Sequence, residues 1–129
     1  MSDRTRLKQQ IAAALDAAVG DLAAFGIDIF EHAEVGFREH RTAARVADEL
    51  RKLGFSPEEG LALTGVRATL RGRSEGPRVA VLGELDGLIV PDHPCADPET
   101  GVAHACGHNA QLTHLLGVAR AFLETEAMS

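Results

Sequence analysis

Cysteine is scarce in this chain: Cys95 and Cys106 are the only two in 129 residues. Two are too few for a disulfide framework, so a metal or catalytic role is the more plausible use of at least one. No apolar run reaches the roughly 18 residues needed to span a bilayer. The start, Met1 to Thr5, leads into a mixed polar helix pattern rather than the apolar segment of a signal peptide. A cytoplasmic location is therefore expected. Basic residues are outnumbered, 13 against 19 acidic, for a formal charge of −6. That balance argues against nucleic acid or an anionic membrane as partner, because both reward clustered Lys and Arg. There is no internal repeat, low-complexity linker, nucleotide-binding glycine loop, nucleophile elbow, basic-aromatic stripe or Cys-x-x-Cys pair.

What is present is enough apolar material, 45% of residues, for one domain with a real core. Leu7, Ile11, Ala14, Leu15, Val19, Leu22 and Phe25 recur at three- and four-residue steps, which predicts a helix over 4–31. Gly20 and Gly26 weaken it locally. Residues 33–37 read as a turn. A second helix is expected from about Glu39 to Leu53, with Ala43, Val46, Ala47 and Leu50 inward and Gly54 as the stop. Residues 65–71 alternate and predict a half-buried or edge strand; 78–83 are nearly all apolar and predict a central strand. Residues 73–77 form the turn between them. The proline-bearing stretch 88–103 predicts a loop, and a last helix runs from near His108 to about Glu126. Leu112, Leu115, Leu116, Ala119, Phe122 and Leu123 supply its buried face. This order predicts an α/β fold, a partial mixed sheet flanked by helices, in a single segment over 1–129.

The chemistry concentrates in His104-Ala105-Cys106-Gly107-His108-Asn109. A thiol and an imidazole two apart at a helix start suit Zn²⁺ or a similar ion, and Gly107 lets the chain turn tightly between them. Glu84 and Asp86 follow the apolar run and lie on one side of an extended segment. One of these carboxylates would orient a ligating imidazole or approach the metal; the bland alternative is solvated loop acids. His104 is a third ligand, a polar group facing substrate, or a loop histidine. His114 lies about 240° around the helix from His108, off its face. His93 and Cys95 are a weak candidate for a second metal pair, and His32 and His40 carry no expected chemistry.

Three segments in this order resemble a known family. Ala33-Glu34-Val35-Gly36-Phe37-Arg38-Glu39 with Thr42, Glu84-Leu85-Asp86-Gly87, and the box from His104 to Asn109 are similar to motifs of metal-dependent amidohydrolases. These are the relatives of aminoacylases and carboxypeptidase G, in the branch that holds auxin-conjugate and aminobenzoyl-glutamate hydrolases. The resemblance covers almost the whole chain, as the N-terminal portion of a zinc-peptidase-like catalytic domain. It implies a two-metal site, Zn or Mn, with Cys106 and His108 as ligands and Asp86 as a supporting carboxylate. Glu84, His104 and Asn109 would line the site. The substrate would be an N-acyl amino acid or related amide, attacked by a metal-activated water. Ala33 stands for the family's proline, Gly87 for its alanine, and Gln111 for a frequent histidine. The family's catalytic glutamate pair and remaining ligand histidines would lie beyond Ser129. The expectation is therefore a partial member, inactive or nearly so alone, prone to self-association or to pairing with a missing C-terminal portion. The alternative is a non-enzymatic metal-binding or interaction module that needs a second chain.

Overall fold

The computed structural model of the chain describes residues 2–125. The first element, α1 (Asp3–Glu31), starts where the Ser2 hydroxyl accepts a hydrogen bond from the Thr5 amide at 3.3 Å. Its inward face holds Ala18, Phe25, Gly26 and Ile29. Val19, expected on that face, is 64% exposed. The apolar stripe drifts around a helix this long, and Ala18 takes the buried place instead.

α2 (His40–Lys52) buries Thr42, Ala43, Val46, Ala47 and Leu50, as the sequence spacing predicts. α3 (His108–Glu124) buries Leu112, Leu116, Gly117 and Ala121. Phe122 and Leu123, expected on its buried face, stay partly exposed. The expected helix end at Glu126 lies outside the described residues.

α1 and α3 pack closely because small residues face each other there. A Cβ added at Gly26 would lie 2.5 Å from the Thr113 hydroxyl, and one at Gly117 would touch Leu15 and Leu22. Gly26 is thus a packing contact as well as a weak point of helix propensity. Phe25 and Ile29 of α1, Val46 and Leu50 of α2, and Leu112 and Leu116 of α3 form one core.

The strands are shorter than expected. β1 (Glu58–Leu61) pairs antiparallel with β2 (Gly65–Arg67), with an irregularity between Glu59 and Leu61. β1 escaped the sequence reading because Glu58-Glu59-Gly60 lacks apolar alternation. Within 88–103, expected to be all loop, β3 (Leu88–Ile89) pairs antiparallel with β4 (Val102–Ala103). Residues 78–83, expected to be a central strand, pair with no strand among the described residues. Val79 and Leu82 there are each 86% exposed. An apolar run is strand-like only when partners satisfy its backbone, and the described chain offers none. The architecture is nevertheless mixed α/β, with helices flanking small sheets, as expected.

Candidate metal centre

Three segments distant in sequence meet around Gly87. Its amide donates to the Glu34 carbonyl at 2.7 Å, and Val35 and Gly87 form an isolated parallel bridge. A Cβ at Gly87 would stand 3.0 Å from the Ala103 carbonyl oxygen, from Ala33 Cβ and from Val102 Cγ1. The turn at 33–37, the acid-bearing segment and the end of β4 are therefore pressed together at this point, and a side chain there would require its neighbours to give way.

The first of these segments is anchored by Glu34. Its carboxylate accepts from the Arg41 amide at 3.1 Å and from the Thr42 amide and hydroxyl at 2.7 and 2.8 Å. It thereby caps the free amides at the start of α2, where negative charge is favoured. Nearby, the buried Glu39 carboxylate accepts from the Thr64 hydroxyl at 2.7 Å. The sequence reading assigned no role to Glu34 or Glu39. The one available signal was the spacing of Glu34 and Thr42 within the first motif.

The acids and the Cys-Gly-His turn come together next to this anchor. Gly107 takes the left-handed conformation, φ 83°, directly before α3. That turn brings Cys106 and His108 onto one acceptor, the Asp86 carbonyl oxygen. The thiol donates to it at 3.5 Å and His108 Nδ1 donates at 2.9 Å. Facing a carbonyl, Nδ1 must carry the proton. The Asp86 carboxylate lies 3.0 Å from the same nitrogen. On the other side of the ring, Glu84 Oε2 is 2.9 Å from His108 Nε2. Gln111 fixes Glu84 by accepting from its backbone amide at 3.1 Å and donating to Oε2 at 3.3 Å. The His108 side chain is 14% exposed, that of Asp86 34% and that of Glu84 65%, so the group opens to solvent on the Glu84 side.

His104 is 3% exposed, and neither ring nitrogen has a hydrogen-bond partner among the described residues. Burial is the main reason its pKa falls below the ordinary value, and the nearby His108 lowers it further. The charges of Asp86 and Glu34 work the other way. A neutral imidazole follows. Asn109 turns elsewhere: its amide donates to the Gly26 carbonyl of α1 at 3.3 Å. That contact docks α3 on α1. His93 and Cys95 engage each other locally, through the Cys95 amide and His93 Nδ1 at 3.1 Å.

The donors are of the kind a divalent ion takes: thiol, imidazole and carboxylate, with an unpartnered buried imidazole close by. Among the described residues, however, no three His, Cys, Asp or Glu side chains already form a cage for an ion. The groups are closed onto one another instead, with Glu84 against Nε2.

No family model matches the chain. Curated relatives do. A thermostable carboxypeptidase from Saccharolobus solfataricus is 39% identical over 93 residues, covering 69% of this chain and 24% of that protein. An N-acyl-L-amino acid amidohydrolase from Geobacillus stearothermophilus is 31% identical over 118 residues, covering 89% of this chain and 32% of its own length. The chain thus spans about a quarter to a third of the relatives it matches. A solved structure from Bacillus subtilis, a dinuclear metal-binding peptidase of the M20 family, superposes with a TM-score of 0.73 at 28% identity. It covers 84% of this chain and 31% of that one. In sequence and in fold, the chain is similar to the N-terminal part of the metal-dependent amidohydrolases and M20 peptidases that its three motifs resemble.

Proposed function

We propose that this chain supplies part of the metal-binding site of an amidohydrolase that cleaves N-acyl amino acids or related small amides. Cys106 and His108 would hold a divalent ion, Zn²⁺ or Mn²⁺, and Asp86 would be the carboxylate that orients His108. The observation that supports this reading is that the Asp86 carbonyl gathers the Cys106 thiol and the His108 ring beside the start of α3, taking Nδ1 of that ring. The names of its relatives support the amide substrate, and the dinuclear description of one structural neighbour supports a metal site. The ion, when bound, supplies Lewis acidity and an acidified water.

The chain's own residues do the holding. Asp86 fixes the His108 tautomer through Nδ1, so that Nε2 is the nitrogen left for a ligand. The left-handed turn at Gly107 sets the thiol beside the first turn of α3. Glu34 keeps the acid-bearing segment in place through the Gly87 amide. The two carboxylates beside Cys106 and His108, Glu84 and Asp86, both lie against the His108 ring, and the reading assigns neither as general base. The chain on its own is accordingly read as having little or no hydrolytic activity. The reading takes the cytoplasm as its compartment, which two free cysteines support.

A second reading is favoured by Val79 and Leu82, apolar and exposed in a segment without strand pairing. On it, the chain is a metal-binding or interaction module that acts once joined by a second polypeptide, by another copy or by the remaining portion of such an enzyme.

Two measurements on the purified chain test the proposal. Equilibrium binding of Zn²⁺ and Mn²⁺ is expected for the chain and lost in Cys106→Ala. Release of free amino acid from a panel of N-acyl amino acids is expected to stay near background with either metal. Absence of metal binding would overturn the site, and robust metal-dependent turnover abolished in Cys106→Ala would overturn its incompleteness.

A further inference from the structure

The run from Arg78 to Glu84 carries its own complement. We propose that residues 78–84 pair antiparallel with the same residues of a second copy of this chain, about a two-fold axis at Val81, with Arg78 of each copy against Glu84 of the other. The inference rests on the second reading above, to which it gives one occupant, and it needs no metal ion.

The run is apolar and unpaired. Val79, Val81 and Leu82 are exposed, and no residue of 78–84 makes a backbone–backbone hydrogen bond among the described residues. An exposed row of free amides and carbonyls is a template for another strand. The run is held at one end: a Cβ at Gly83 would lie 3.2 Å from Leu112 and 3.6 Å from Leu115 of α3. One of its two edges is already taken there, because the Glu84 amide donates to the Gln111 side chain of α3 at 3.1 Å. In extended backbone successive amides point to opposite edges. Residues 80, 82 and 84 therefore face the side of Gln111, and residues 79, 81 and 83 offer their amides to a partner.

Symmetry and charge then select the register. A two-fold pair of antiparallel strands needs one residue opposite its own copy. With Val81 in that place, Val79 and Gly83 form hydrogen-bonded pairs along the free edge, and Ala80 stands opposite Leu82, a small residue against a large one. Arg78 and Glu84 fall opposite each other at both ends, in the closer, non-hydrogen-bonded kind of pair. Opposite charges stabilise such a pair and like charges destabilise it. Arg78 has no ion pair or hydrogen bond among the described residues. The contacts of Glu84 with Gln111 and His108 both use Oε2, which leaves Oε1 for the arginine. Centring on Ala80 would set Arg78 against Leu82 instead. Centring on Leu82 would set Ala80 against Glu84 and Arg78 against Asp86, whose carboxylate already lies 3.0 Å from His108.

Sedimentation equilibrium of the purified chain reads the assembly. The wild-type chain is expected to pass from monomer to dimer as concentration rises. Arg78→Glu and Glu84→Arg each set like charges opposite at both ends, and each is expected to raise the dimer dissociation constant at least about tenfold. An equimolar mixture of the two variants restores opposite charges at both ends and is expected to dimerise within about threefold of wild type. Val81→Pro removes the central amide and is expected to leave the chain monomeric. Circular dichroism checks that each variant keeps its helices. The mixture decides the matter, since two variants damaged in fold or in the contacts of His108 would not rescue each other. A wild-type chain that stays monomeric, including one in which residues 65–71 fold back on this edge, would overturn the pairing, as would assembly that continues beyond the dimer. A dimer indifferent to both charge reversals would overturn this seam and leave the second reading standing on another surface.

Discussion

Glu34 and Thr42 form a paired clamp: the Thr42 amide and hydroxyl both donate to the same Glu34 carboxylate oxygen, at 2.7 and 2.8 Å. With the Arg41 amide on the other oxygen, one side chain satisfies two free amides at the start of α2. Its own backbone carbonyl meanwhile holds Gly87. Glu34→Ala should therefore cost about 1–2 kcal/mol, the upper part of the range for a lost helix cap. Glu34→Gln, which keeps an acceptor but loses the charge at the helix start, should cost less. Urea denaturation of the three proteins measures both. Equal stability of wild type and Glu34→Ala would show that water replaces the clamp without loss.

Gly87 makes a second, steric claim. Its Cβ position is hemmed by a backbone carbonyl and two side chains at 3.0 Å. Gly87→Ala should destabilise by about 1–3 kcal/mol, as overpacking does where backbone cannot yield. Ala33→Gly removes one of the three obstacles, so the double variant should recover part of the loss. A double-mutant cycle reads this as a coupling between the two sites. Strict additivity would mean that the Ala103 carbonyl alone sets the cost.

How much of this was legible beforehand depended on whether a residue's partners lie close in sequence. α2 was readable because Ala43, Val46, Ala47 and Leu50 repeat at helical spacing and bury together. That Cys106, His108 and Asp86 lie near one another was readable, because Asp86 follows the apolar run and Cys106 and His108 flank Gly107 at the start of α3, and the two places meet at the Asp86 carbonyl. Glu34 was not readable as a cap, since its partners are backbone amides seven and eight residues on. Nor was the direction of Asn109, which depends on the crossing of α1 and α3 at Gly26. Residues 78–83 mark the opposite limit. Their composition states a preference for a sheet interior, but strand formation needs a neighbour, and a single run of residues carries no information about one.

Asp28 links α1 to α2 and gives the fold an acid-sensitive contact. Its carboxylate accepts from Arg41 at 2.6 Å and from Arg45 at 3.0 Å. Burial works to raise its pKa, but the two arginines prevail and hold it below the ordinary 3.8. A depressed folded-state pKa stabilises the native protein above the unfolded value, and that contribution is lost as pH falls below about 3.8 and through the folded-state value. Asp28→Asn should therefore lower stability by about 1–2 kcal/mol at neutral pH, less than two full charge-assisted bonds because the pair is partly solvated. The gap between wild type and variant should close in acid. Denaturation midpoints at pH 7 and pH 3 test this, and a gap that persists unchanged at low pH would assign the effect to packing instead of charge.

His104 is a buried imidazole whose ring nitrogens have no partner among the described residues. A side chain 3% exposed with two unmatched ring nitrogens carries the desolvation cost of both. Replacing it with Phe keeps a flat ring of similar size and removes the polar atoms. If the nitrogens are unmatched in solution, His104→Phe should be more stable than wild type in metal-free buffer, by about 1 kcal/mol after allowing for the extra volume of the larger ring. The comparison is made by thermal and urea unfolding with a chelator present. A loss of 1–3 kcal/mol, the usual cost of removing one member of a buried hydrogen-bonded pair, would show that the imidazole has partners in solution. In that case the centre built around Asp86 and His108 extends inward to His104, and the buried ring is one of its working members.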